Sequence, residues 1–64
     1  MDLVEQVKAQ IKTAEQNVAY QETELYRAKT ADEEQKVRAR LVPLQNKLSG
    51  LQSELADLVR RGVR

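Results

Sequence analysis

The sequence has no cysteine and no histidine, and it also has no tryptophan or phenylalanine. These absences exclude disulfides, thiolate metal ligands and imidazole chemistry. Carboxylates such as Glu15 and Glu54, and hydroxyls such as Ser49 and Ser53, have no base, metal-site spacing or Gly-rich phosphate loop near them in the sequence. We therefore expect no enzyme, no catalytic or cofactor-binding residues, no metal site and no cofactor.

Long apolar runs are missing too. Charged residues recur every few positions from Asp2 onward, so the start lacks the basic and apolar segments of a secretory signal, and no run reaches the roughly 20 apolar residues of a membrane span. We expect a cytoplasmic protein without a membrane partner. Two glycines, one proline, 3% aromatic and 33% charged residues are typical of a long helix or coiled coil, which predicts an all-α fold.

Apolar side chains recur at alternating steps of three and four in both halves of the chain, which is the a/d pattern of a heptad repeat. Among the repeat positions of the first half only Gln21 is polar, and the repeat of the second half begins at the polar Glu34. The predicted helix-helix seam consists of Val4, Val7, Ile11, Ala14, Val18, Gln21, Leu25, Val37, Leu41, Leu44, Leu48, Leu51, Leu55 and Leu58.

Between the halves, over residues 29–37, the repeat loses its phase by two residues. A continuous helix would have to swing its apolar stripe around its axis there, so a break is the simpler interpretation. Thr30 and Glu33 match a Ser/Thr-x-x-Glu capping box, acidic residues follow in a first helical turn, and Lys29 suits the last turn of a preceding helix. These signals predict a chain reversal.

We predict one domain over residues 1–64, with helix 1 over about 2–29, a turn over about 29–32, and helix 2 over about 31–61 with a kink near Pro43. The fold class is an antiparallel, coiled-coil-like helical hairpin that associates further. Facing residues would have numbers that sum to 62, as Val18 and Leu44 do.

Two alternatives compete with the hairpin. Pro43 could begin a short second helix after one long helix over 2–41. The chain could also form a long-helix coiled-coil dimer that serves as a spacer, which the β-branched Val4, Ile11 and Val18 at a positions would suit.

Charge is divided between the two halves. Residues 1–26 carry five acids and two bases, whereas residues 36–64 carry two acids and seven bases. The helices should therefore attract each other, with Glu22 near Arg38 and Glu24 near Arg40 beside the turn. Each exposed pair contributes about 0 to 1 kcal/mol, so these charges would select the register more than they stabilise the fold.

The predicted function is protein–protein interaction, as an adaptor, a chaperone or a structural subunit of a larger assembly. A 64-residue chain has little core of its own, so we expect a protein partner, a second copy of the chain in a homo-oligomer, or both. Two groups lie off the seam. The candidate partner surface on helix 1 comprises Ala19, Tyr20, Thr23 and Tyr26, and three valines of the second half, Val42, Val59 and Val63, could extend it or form another.

Nucleic acid binding is the alternative function. Seven basic residues give the second half its positive excess: Lys36, Arg38, Arg40, Lys47, Arg60, Arg61 and Arg64. The Ala31-Asp32-Glu33 turn followed by Gln35 resembles the Rop family of plasmid RNA-binding hairpins, which implies an RNA-binding or DNA-binding regulator. That family binds RNA through polar, aromatic and basic side chains of its first helix.

Here Gln10, Ala14, Val18 and Leu25 occupy similar places on an acidic helix, so the RNA activity is not carried over. A second segment, residues 18–22, looks like the alanine-aromatic-Gln-Glu segment of the short SlyX-like coiled-coil family. Each resemblance covers about five residues, and neither assigns the chain to a family.

Overall fold

The computed structural model describes residues 2–63 and contains two α-helices, α1 (Leu3–Arg27) and α2 (Ala31–Arg60), which pack against each other. The start of α1 and the end of α2 line one cleft, so the helices are antiparallel. The predicted all-α helical hairpin is confirmed. The continuous long helix is wrong, because helical structure stops at Arg27 and resumes at Ala31.

Asp2 fixes the beginning of α1. Its backbone is extended, and its Oδ1 accepts a hydrogen bond of 2.8 Å from the amide of Glu5. A carboxylate in this place satisfies an amide that has no partner within the helix and also suits the positive end of the helix dipole. Asp2 is therefore the N-cap, where the sequence had predicted it as the first helical residue.

The turn comprises residues 28–30, which corrects the predicted turn over 29–32 and the predicted end of helix 1 at residue 29. The chain leaves the helix at Ala28, which has φ −62° and ψ 134°. Thr30 caps α2, since its Oγ1 accepts from the amide of Glu33 at 3.1 Å. The Glu33 carboxylate accepts from the amide of Lys29 at 3.0 Å, one residue before the amide that a standard capping box uses.

Helix α2 continues through Pro43 and Gly50 without interruption. A boundary at Pro43 is therefore wrong, whereas the kink near Pro43 stays a prediction. Proline removes the amide that would bond to the carbonyl of Ala39, and glycine costs up to about 1 kcal/mol relative to alanine inside a helix. A helix that contains both residues depends on packing against α1 more than on its own propensity.

Gly62 ends α2 by a Schellman motif. Its φ of +74° lies in the left-handed region, its amide donates to the carbonyl of Val59, and the amide of Val63 donates to the carbonyl of Leu58, both at 3.0 Å. Helix α2 therefore ends at Arg60, one residue before the predicted end at about residue 61, and Arg61 is its C-cap.

Candidate interaction surfaces

The fourteen seam positions are all buried or half-buried. The buried residues within 2–63 all belong to this set. They are Val7, Ala14, Val18, Val37, Leu41, Leu51 and Leu58. One cluster joins Val18, Val37 and Leu41 to Leu25, Leu44 and Leu48. It contains both members of the pairs Val18–Leu44 and Leu25–Val37, whose numbers sum to 62, as the predicted register requires.

Burial is uneven across the seam. In each of the seven layers of this register, one residue is buried and its partner is half-buried. Val4 is half-buried and its partner Leu58 is buried, whereas Leu55 is half-buried and its partner Val7 is buried. No large side chain among residues 2–63 is completely enclosed. The hairpin measures 48 × 16 × 11 Å, and its smallest dimension is about the diameter of one helix. A single layer of two helices covers its seam incompletely.

The half-buried residues lie mostly on one side of the hairpin. Residues seven apart share a side of a helix, so each helix contributes two series to the seam. In the series of α1 that begins at Val4 and the series of α2 that contains Leu41, five of the seven apolar members are half-buried. We call these five the open face: Val4, Ile11, Leu25, Leu48 and Leu55.

The other two series form the closed side, where Val7, Ala14, Val37, Leu51 and Leu58 are buried and Gln21 and Leu44 are half-buried. The two sides carry separate clefts, since Val37 of the closed side lines a cleft beside the turn, and Val4 of the open face lines another at the free ends. Beside Pro43 the pattern reverses for about one turn, where Val18 and Leu41 are buried.

The open face is widened along α2 by exposed apolar residues at its edge. Val42 is 55% exposed, Val59 is 60% exposed and Ala56 is exposed, and the half-buried Val63 lines the same cleft as Val4 and Val59. Between residues 41 and 59 the charged residues of α2 are Lys47, Glu54 and Asp57, and helical spacing places all three away from this side. The α2 half of the open face is therefore uncharged over about five turns.

Gln21 is a polar residue within the seam, opposite Leu41 in the register of 62. Its Oε1 is buried and has no hydrogen-bond partner. A buried carbonyl oxygen without a partner costs about 1 to 3 kcal/mol relative to one that is bonded. Gln21 therefore costs stability in the seam, as polar residues that specify helix alignment do.

Ion pairs within residues 2–63 join side chains of the same helix. Lys36 pairs with Asp32 at 3.4 Å, Arg38 with Glu34 at 3.7 Å, Arg61 with Asp57 at 3.0 Å, and Lys8 with Glu5 at 3.8 Å. The predicted approach of Glu22 to Arg38 does not produce an ion pair, because Arg38 reaches Glu34 one turn earlier on α2. Glu24 and Arg40 line the same cleft beside the turn without an ion pair between them.

The predicted tyrosine surface on α1 is exposed. Tyr20 is 62% and Tyr26 is 92% exposed, and Ala19 and Thr23 are exposed beside them. The Thr23 hydroxyl donates to the carbonyl of Ala19 at 3.0 Å, so it is already bonded. The four residues share the outer side of α1, and their role as a partner surface stays a prediction.

Two caps and the uneven burial of the seam were not predicted from the sequence. The cap at Asp2 had a signal in the acid that follows three residues later, and Gly62 had one in its position after the last leucine of the repeat. The division into an open face and a closed side had no signal in the seam pattern itself, since every seam position except Gln21 is apolar. The uncharged edge of α2 was the available signal.

Comparison with family models, with curated proteins and with solved structures returned no match to this chain. Neither α1 nor α2 is long and apolar enough to cross a lipid bilayer.

Proposed function

We propose that this protein is a non-enzymatic helical interaction module that binds another protein surface through its open face. The observation that carries the proposal is the uneven seam, in which five apolar residues remain half-buried on one side while their partners in the same layers are buried. Apolar surface that a single layer leaves in contact with water favours a second layer, because burial contributes about 25 cal/mol per Å².

The composition of the open face supports a protein partner. The cores of protein interfaces are depleted of charge, and this face is uncharged along α2 from Leu41 to Val59. The side chains at its edge, Val42, Ala56 and Val59, are small or β-branched, so they would order on binding at little entropy cost. An adaptor, a chaperone or a structural subunit would each use such a face. The cytoplasmic location expected from the sequence belongs to the same proposal.

The basic residues of the second half support the nucleic acid alternative less well. Lys36, Arg38 and Arg61 each have an acidic partner one turn earlier on the helix, so phosphate would have to compete with those carboxylates. Arg64 lies outside the described residues. The crosslinking experiment below therefore includes nucleic acid binding as one of its outcomes.

The test is photo-crosslinking from two positions on α2. A photoreactive residue replaces Val59 at the edge of the open face, or Ser53 on the outer side of the same helix, and both variants are irradiated in extracts of the source cells. We expect protein crosslinks from position 59 that are absent from position 53. Equal crosslinking from both positions would contradict the proposal, and crosslinks that nuclease removes would favour the nucleic acid alternative.

A further inference from the structure

Building on the proposed function, we infer that the surface covering the open face is a second copy of this chain, with α1 of each copy lying over α2 of the other. Three properties of the hairpin lead to this assignment: its thickness, the size of its open face and the distribution of its charges.

The first property is thickness. The hairpin is 11 Å thick, so it consists of one layer, whereas stable domains are built from at least two packed layers. A second hairpin placed on the open face supplies that layer and converts two helices into a four-helix arrangement. The half-buried Val4, Ile11, Leu25, Leu48 and Leu55 would then lie between the layers.

The second property is area. The side of the hairpin that carries the open face measures 48 × 16 Å, a projected area of roughly 750 Å². A standard stable interface buries roughly 800 Å² of accessible surface per partner, so this side is large enough for a dimer. A twofold axis lets one self-complementary face serve both copies, so no additional surface is required.

The third property is charge, which decides between the two symmetric ways of stacking the hairpins. If α1 lies over α1, the residues near the middle of each helix face each other, and Glu15 of one copy meets Glu15 of the other. If α1 lies over α2, a twofold axis along the hairpin keeps residues whose numbers sum to about 62 at the same level. The edge residues nearest Glu15 and Glu22 on the second copy are then the neutral Gln45 and the basic Arg38, respectively, at sums of 60. Like charges that face each other are destabilising, so the second arrangement is favoured.

The distribution of charge outside residues 27–35 favours the same arrangement. Residues 1–26 carry five acids and two bases, and residues 36–64 carry two acids and seven bases, so each acidic half would lie over a basic half. The uncharged strip of α2 between Leu41 and Val59 leaves no like charges in contact at the centre of the interface.

Sedimentation of the intact chain over a range of concentrations tests whether a second copy binds. We expect a reversible monomer–dimer equilibrium. Val59→Glu should raise the dimer Kd by roughly tenfold or more, because the twofold axis would bury two unpaired carboxylates. Ser53→Glu, on the outer side of α2, should leave the Kd unchanged. Both residues are exposed in the hairpin, so circular dichroism should show both variants to be as helical as the parent.

Disulfide trapping tests the arrangement, and the cysteine-free sequence makes single-cysteine variants unambiguous. An equimolar mixture of Glu15→Cys and Gln45→Cys should form the mixed disulfide on mild oxidation, while each variant alone should remain largely unlinked. Homodisulfides at both positions, without the mixed product, would overturn the stacking of α1 over α2. Absence of every disulfide would overturn it as well.

The outcomes separate this inference from the proposed function. A chain that stays monomeric at all concentrations, while position 59 crosslinks to a different protein, would refute the second copy and leave the interaction module intact. A monomer that also gives no crosslinks beyond the Ser53 control would refute both. A dimer that Val59→Glu and Ser53→Glu weaken equally would refute the placement of the interface on the open face.

Discussion

Thr30 and Glu33 bind the backbone at the turn in both directions. The Thr30 hydroxyl oxygen accepts from the amide of Glu33 at 3.1 Å, and the Glu33 carboxylate accepts from the amide of Lys29 at 3.0 Å. One pair of side chains therefore bonds the amides of Lys29 and Glu33, which have no partner within a helix. The turn has three residues and contains neither glycine nor proline. The reversal depends on side-chain hydrogen bonds rather than on a special backbone conformation.

Thr30→Ala should lower the free energy of unfolding by about 1 kcal/mol, because it removes the N-cap of α2. Thr13→Ala is the matched control. The hydroxyl of Thr13 is also exposed and also bonds to the backbone, but it donates to the carbonyl of Ala9 inside α1 and caps nothing. We expect that variant to be neutral or slightly stabilising. Urea denaturation at one fixed protein concentration measures both changes, and equal losses in the two variants would show that the cap at the turn contributes nothing specific.

Gln21→Leu should raise the free energy of unfolding by about 1 to 3 kcal/mol, since it replaces the unbonded buried Oε1 with apolar surface opposite Leu41. Gln16, which is exposed on the same helix, gives the control: Gln16→Leu should change stability by no more than about 0.5 kcal/mol. If Gln21→Leu destabilises the protein instead, the glutamine oxygen has a partner in solution that compensates for its burial.

The two glycines should respond to alanine in opposite directions. A Cβ at either position would meet no atom within 4 Å, so sterics do not distinguish them. Gly50 is helical, and Gly50→Ala should stabilise the protein by up to about 1 kcal/mol. Gly62 has φ +74°, and Gly62→Ala should destabilise the end of α2 by about 1 kcal/mol through left-handed strain. Thermal unfolding of the two variants should bracket the parent, and a Gly62→Ala variant at least as stable as the parent would contradict the Schellman termination at Gly62.

Much of the fold follows from the sequence because heptad spacing and phase are local properties. The loss of phase over residues 29–37 and the capping pair at Thr30 and Glu33 place the reversal to within two residues. Helix ends are harder to predict, since Asp2 acts through one hydrogen bond and Gly62 through a left-handed backbone conformation, and other residues nearby could end a helix as well. Pro43 is tolerated inside α2 because tertiary packing on α1 outweighs its local cost.

The candidate site was predicted only in part. Spacing identifies which residues face the other helix, but it does not say how deeply each is covered, because coverage depends on the number of layers above and below. Leu48 and Leu51 are consecutive leucines of the α2 seam, yet the structure leaves Leu48 half-buried on the open face and buries Leu51 on the closed side. The charge of neighbouring positions was the better guide, since it separates the uncharged edge at Val42 and Val59 from the charged outer sides.

Thiol reactivity of two neighbouring seam positions tests the uneven seam most directly. Leu48→Cys and Leu51→Cys each place the only thiol of the chain on the same helix, and each removes a leucine of the same size. In dilute solution the account predicts that the thiol at position 48 reacts several-fold faster with an aromatic disulfide reagent than the thiol at position 51. It also predicts that raising the protein concentration slows only position 48, because a second hairpin then covers the open face. Equal rates at the two positions in dilute solution would contradict the uneven seam, and a rate at position 48 that does not depend on concentration would contradict the second copy.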